Sequence, residues 1–263
     1  MYRYFVIAFL SAFSLSACAQ QTTTPERSAT TATTTATTTA QGAEQRVRAT
    51  LTGLFPGVQP NYVGAAAFGG FQEVLIGGQV LYISNDGNYL LQQVQAIDVK
   101  NRTIASSPGL LNYRREQLAQ IPRSERIVFS PPNPRYTVSV FTDVDCGYCR
   151  KLHQDVPELN RRGIAVEYLA FPRMGLDGRD YRDLVSVWCA SDRKTALTDA
   201  KSGKPVPAKD CANPVAKQFQ LGQRLGVNGT PAIFASNGVQ LGGYLTPQQM
   251  LEALSGKGEG AAN

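Results

Sequence analysis

The sequence predicts an α/β (α+β) chain: a small N-terminal α+β unit, a linking helix, and a larger C-terminal unit in which strands and helices alternate. Three observations carry that expectation. Runs rich in Val, Ile, Leu and Tyr lie on both sides of the turn Asn85-Asp86-Gly87-Asn88. Apolar residues recur at helical spacing between Ser107-Pro108 and Pro122. Beyond Arg126 an extended apolar strand leads directly into a helix start, and the alternation of strand and helix then continues. The 263 residues, 43% hydrophobic and 17% charged, suffice for two modest cores plus some non-globular sequence.

From the N-terminus, Arg3 precedes an apolar run from Phe5 to Phe13, too short to span a bilayer and placed like a secretory signal. Export follows as the expectation, with residues 1–18 as signal peptide. The run closes on Leu15-Ser16-Ala17-Cys18, which resembles a lipobox and makes Cys18 the candidate for lipidation. Cleavage after Ala19 also satisfies the small-x-small rule, so both readings stand. Residues 19–43 are mostly Thr, Ala and Gln, with too little apolar surface to offset the entropy of ordering. They read as a flexible tether with an end-to-end distance on the order of 25 to 30 Å.

Residues 44–105 form the first folded unit. A short helix runs through Val47, Leu51 and Leu54 to Pro56-Gly57, and strands are expected at Phe71 to Ile76, Val80 to Ser84 and Tyr89 to Val99. So small a core, without cysteine, profits from a partner subunit. Residues 106–125 are the linker helix, capped by Ser107, opened by Pro108, carried by Leu110, Leu111, Tyr113, Arg114, Leu118 and Ile121, and stopped by Pro122. Residues 126–257 are the second unit. Its strands are Tyr136 to Thr142 and Ile164 to Ala170, and its helices run from the cysteines to about Arg162, through Trp188 and Cys189, and from Pro214 to Leu225. A hairpin of Ala232 to Ala235 and Val239 to Leu241 turns at Asn237-Gly238, and Thr246-Pro247 caps a last helix.

Leaving Cys18 aside, four thiols remain: Cys146, Cys149, Cys189 and Cys211. A lone C-x-x-C fits half a zinc site, a structural disulfide or a redox centre. Here Cys146-Gly147-Tyr148-Cys149 follows the strand Val138 to Phe141 and opens a helix, where free amides and the helix dipole stabilise a thiolate, the species that attacks disulfides. Zinc needs two more ligands at suitable spacing, and Cys189, Cys211 and His153 form no second compact knuckle. A c-type haem needs His after the second cysteine, where Arg150 stands. No metal and no cofactor are expected. Cys189 and Cys211 bracket a polar stretch that a structural disulfide would stabilise by roughly 3 kcal/mol. Thr230-Pro231 precedes a strand, and X-Pro is the linkage for which a cis peptide is cheap. The net charge of +6 is scattered and without aromatic interleaving, which argues against nucleic acid as a partner.

Phe141-Thr142-Asp143, Cys146-Gly147-Tyr148-Cys149 and Lys151-Leu152-His153 resemble the DsbC/DsbG family of periplasmic disulfide isomerases. So do Val80-Leu81-Tyr82-Ile83, Tyr168-Leu169-Ala170-Phe171-Pro172-Arg173, Trp188-Cys189-Ala190 and Leu225-Gly226-Val227-Asn228-Gly229-Thr230-Pro231-Ala232. The likeness covers roughly residues 45 to 255. It implies a cystatin-like α+β dimerisation domain, a hinge helix and a thioredoxin-like catalytic domain with a helical insertion, assembled as a homodimer. It also implies that Cys146 attacks the disulfides of misfolded exported proteins and that Cys149 resolves the mixed disulfide. Gly147, Tyr148, Thr230 and Pro231 then contact substrate, and a membrane reductase of the DsbD type keeps the pair reduced. The setting is the periplasm, with membrane contact only through a lipid on Cys18.

Three departures from the family pattern stand out. Asp145 precedes Cys146, where a carboxylate disfavours the thiolate, and Arg150 replaces a His and offsets it; both are candidates for tuning the thiol. Val140 stands where many thioredoxins carry a buried carboxylate, which leaves the proton acceptor for Cys149 open. His153 shares a helical face with the cysteines, yet a helix histidine is more often at the surface. Alternatives to a dimeric isomerase with chaperone activity are a DsbG-like reductase or chaperone, a reductase dedicated to one partner, and a monomeric dithiol oxidant.

Overall fold

In a computed structural model, residues 30–256 are described apart from 78, 95 and 100–102. The signal segment and Cys18 lie outside the described residues. The N-terminal unit lays helix α1 (Thr30–Leu54) across an antiparallel sheet of β1 (Tyr62–Ala65), β2 (Phe71–Ile76), β3 (Gln79–Ser84) and β4 (Leu90–Leu91), in that order. Val47 and Leu51 of α1 pack on Val63, Val74, Ile76, Leu81 and Ile83. Each fully buried aliphatic side chain contributes about 1.5 to 3 kcal/mol by leaving water, and these few make up the whole of this core cluster.

Two expectations for this unit are corrected. Residues 30–43, read as a coil, belong to α1, and Ala43 is buried. Alanine is the best helix former, and once Val47 and Leu51 anchor the helix, extending it toward the N-terminus avoids a new nucleation cost. The run from Tyr89 to Val99 is not one strand. Gln93 takes a left-handed backbone (φ 57°), which ends β4 after two residues, and β5 (Ile97–Asp98) pairs instead with β6 (Thr103–Ile104).

Helix α2 (Pro108–Ala119) is the predicted linker, with the Ser107 hydroxyl accepting from the Leu110 amide. It touches both units. The Ser107 amide donates to Glu73 Oε2 of β2, buried Arg114 reaches Gln240 Oε1, and Leu118 joins the core of the second unit.

The second unit has a five-stranded sheet in the order β11-β10-β8-β9-β7, comprising β7 (Ile127–Phe129), β8 (Tyr136–Thr142), β9 (Ile164–Ala170), β10 (Ala232–Ala235) and β11 (Gln240–Gly242). β8 and β9 run parallel, and the other pairs are antiparallel. Alternation along β8 and β9 splits the core. Val138, Val140, Val166 and Tyr168 face one cluster with Leu152, Leu159 and Trp188, whereas Phe141 and Leu169 face another with Leu221, Leu225 and Phe234. This is the expected thioredoxin-like arrangement.

The helices are α3 (Gly147–Gln154), α4 (Val156–Arg161), α5 (Arg179–Trp188), α6 (Arg193–Lys201), α7 (Val215–Leu225) and α8 (Pro247–Ser255). The single helix expected from the cysteines to Arg162 is broken at Asp155, because Pro157 supplies no amide for the preceding turn. The polar stretch after Cys189 contains α6. Asp192 caps it by accepting from the Lys194 and Thr195 amides, and Leu197 is buried.

Candidate active site

β8 ends at Thr142, and four residues later Cys146 stands as N-cap of α3, so the strand delivers the first thiol to the positive end of the helix. Cys146 and Cys149 are free thiols, 4% and 0% exposed. The cis Thr230-Pro231 peptide lies against them, as its sequence context predicts, and Cys146 Sγ donates to the Thr230 carbonyl at 3.1 Å. The Thr230 hydroxyl is buried and has no hydrogen-bond partner among the described residues.

The two sulfurs are driven apart electrostatically. Burial pushes Cys146 up, but Thr230, the Cys149 amide, the Cys149 side chain and the Arg173 guanidinium together hold its pKa below the ordinary thiol value. For Cys149 burial wins and the pKa is raised, against Lys201, the Asp143 backbone, Thr142 and Thr230. Cys146 is therefore the sulfur that ionises first, and Cys149 the one that keeps its proton. Gly147 and Tyr148 are exposed beside the pair, and the Tyr148 ring stacks on Tyr244 at 6.2 Å.

Asp145 and Arg150 pair with each other at 3.2 Å, which satisfies much of the charge that either brings to the thiol. Cys189 and Cys211 form a disulfide with Cα atoms 5.8 Å apart, joining the end of α5 to the segment before α7. His153 is buried, contrary to the surface expectation. Its ring lies 3.1 Å from the Tyr168 hydroxyl and 3.0 Å from the Thr198 hydroxyl, and burial pushes its pKa down to about 4. It is a neutral core hydrogen-bonding group near neutral pH.

Three contributors escape a reading of the sequence. Asp143, buried below the cysteine loop, accepts from the Asp145 amide and binds Arg173. Arg173 supplies the cation near Cys146. Lys201, from α6, is buried beneath Cys149. The parallel register of β8 and β9 brings Asp143 and Arg173 together, and the only cue for Arg173 is its place in Phe171-Pro172-Arg173, just after β9.

Residues 125–256 match the thioredoxin-like domain family, and residues 36–106 match the disulfide bond isomerase protein N-terminal domain. Thiol:disulfide interchange protein DsbC of Salmonella typhimurium is 36% identical over 218 residues, which is 80% of this chain and 86% of that protein. DsbC of Escherichia coli K12 is 34% identical over 222 residues, 82% of this chain and 89% of that protein. A crystal structure of a disulfide interchange protein from Neisseria gonorrhoeae is 30% identical, covering 53% of this chain and 100% of that one with a TM-score of 0.47. The chain is a thiol:disulfide oxidoreductase, and it belongs to the DsbC family of thiol:disulfide interchange proteins.

Proposed function

We propose that the chain isomerises, and in part reduces, incorrect disulfides of exported proteins, with Cys146 as the attacking thiol and Cys149 as the resolving thiol. The observation that carries this is the opposite displacement of the two thiol pKa values within one C-x-x-C at a helix start. The Cys146 thiolate attacks a substrate sulfur, the substrate disulfide breaks, and one substrate sulfur leaves as a thiolate, giving a mixed disulfide. Either the freed substrate thiolate attacks elsewhere in the substrate and the thiolate released there attacks the mixed disulfide, expelling Cys146 as a thiolate, which is isomerisation, or Cys149 displaces the substrate, which is reduction.

Gly147, Tyr148, Thr230 and Pro231 contact the substrate, whose extended backbone lies along the Thr230 edge and needs no particular side chains. The chain acts as a homodimer through its N-terminal unit. In support, Leu91, Val94, Ile97 and Val99 are exposed at 36 to 85% around the edge strand β4, on a core too small to be comfortable alone. The cleft of such a dimer would hold unfolded chains and give chaperone activity. The location is the periplasm, with Cys18 as lipid anchor and a DsbD-type membrane reductase as electron donor; no described helix is long and apolar enough to cross a membrane.

Trapping tests the assignment of roles. Cys149→Ser incubated with a disulfide-bonded substrate is expected to accumulate a mixed disulfide on Cys146, and Cys146→Ser to accumulate none. Accumulation on Cys149 instead would reverse the roles.

A further inference from the structure

Lys201 closes α6 and is 4% exposed. Its ammonium donates to Thr142 Oγ1 at 2.7 Å and to the Asp143 carbonyl at 3.3 Å, and it lies 5.5 Å from the centre of the Tyr168 ring. Among the described residues it forms no ion pair with a carboxylate, and the nearby Asp143 carboxylate is held by Arg173. A buried ammonium held only by neutral acceptors is costly, because a hydroxyl and a carbonyl do not restore the solvation it loses. An apolar side chain of similar length would fill the space without that cost.

The groups that face it narrow its purpose. α3 presents Cys146, Cys149, Arg150 and His153, the end of β8 presents Thr142 and Asp143, and β9 presents Tyr168. Tyr168 is raised well above the ordinary phenol range and stays neutral, and His153 is neutral as well. Cys146 has Thr230 and Arg173 to hold its negative charge, and Arg150 is turned to Asp145. Cys149 remains. It is fully buried, it must become an anion to act, and Lys201 and the Thr142 hydroxyl that accepts from it are both among the groups that favour its charged form.

We propose that Lys201 is a positioning residue for the resolving step, its ammonium stabilising the Cys149 thiolate through the Thr142 hydroxyl as Cys149 attacks the mixed disulfide. The inference rests on Cys146 as attacker and Cys149 as resolver. Cys149 gives up its proton to water and its sulfur attacks Cys146 Sγ. The Cys146–Cys149 bond forms, the bond from Cys146 to the substrate breaks, and the substrate sulfur leaves as a thiolate that takes up a proton from solvent. The cysteine pair is oxidised by two electrons and the substrate disulfide is reduced by two, so no further reactant is needed. This places at Cys149 a charge device that the missing strand carboxylate at Val140 would otherwise have suggested was lost.

Rapid mixing of the reduced full-length protein with a disulfide-bonded peptide, followed by acid quench, separates formation of the Cys146 mixed disulfide from its decay. In Lys201→Met, formation is expected to stay within about twofold of wild type while decay at pH 7 slows about tenfold, the equivalent of one pKa unit at Cys149. The decay is expected to recover as pH is raised and Cys149 ionises unaided, and the variant is expected to melt higher because a buried charge is gone. Unchanged decay overturns the inference, whereas failure of the wild type to form a mixed disulfide on Cys146 overturns the role assignment beneath it. A second measurement reads the sulfur itself: in a Cys146→Ser background, thiolate absorbance should place the Cys149 titration about one pKa unit higher with Lys201→Met than with Lys201 in place. Coincident curves overturn the inference.

Discussion

The backbone amide and the Nε of Arg173 both donate to one oxygen of Asp143, Oδ2, at 2.9 and 3.2 Å. Asp143 is 1% exposed, so this clamp ties the loop after β9 to the residue after β8, three positions before Cys146. It also fixes a guanidinium where it acts on the first thiol. Arg173→Gln is expected to raise the Cys146 pKa, because a nearby cation that favours the thiolate is lost. Asp145→Asn is expected to lower it by less, since Arg150 already pairs with that carboxylate. Thiolate absorbance against pH measures both; a larger shift from Asp145→Asn than from Arg173→Gln would contradict this ordering.

His153 gives the fold an acid-sensitive component. In the unfolded chain it titrates near pH 6.5, whereas burial holds it at about 4 in the folded protein. Between those values the unfolded state binds a proton that the folded state refuses, so stability is full above about pH 6.5 and falls as the pH drops toward 4. The loss attributable to this residue is about 3 kcal/mol. Urea unfolding from pH 7 to 4 is expected to show a shallower decline in His153→Gln than in wild type. Equal slopes would mean that the ring is protonated in the folded state.

The Cys189–Cys211 bridge spans 22 positions, and α6 lies inside that loop. Replacing both cysteines by alanine is expected to cost about 3 kcal/mol through the greater freedom of the unfolded chain. Thermal melting detects that loss, while the alkylation rate of Cys146 should stay near the wild-type value because neither residue contacts the exchange pair. An unchanged melting temperature, or a slowed alkylation, would contradict a purely structural role.

Legibility in the sequence followed how local the determining signal was. β8 and β9 fall at Tyr136–Thr142 and Ile164–Ala170 as their apolar runs predict, and Ser107 and Thr246 cap the helices they were read to cap. The short edge strands β1 and β7 carry too few residues for a period to show, and both went unread. Gln93 ended a strand through a backbone conformation that its side chain does not announce. In the site, the two cysteines and Thr230-Pro231 were visible because each has its own local signature. Arg173 and Lys201 were not, because a cation 27 or 55 positions from Cys146 looks like any other surface charge until parallel pairing of β8 and β9 and the turn of α6 bring it there.

Reactivation of a scrambled multi-disulfide protein by wild type and by Cys146→Ala tests most directly the claim that this chain works through one ionised thiol at the start of α3. Wild type is expected to reactivate it rapidly, and Cys146→Ala at equal concentration not above background. Equal reactivation by the two proteins would contradict it and leave the chain acting by binding alone.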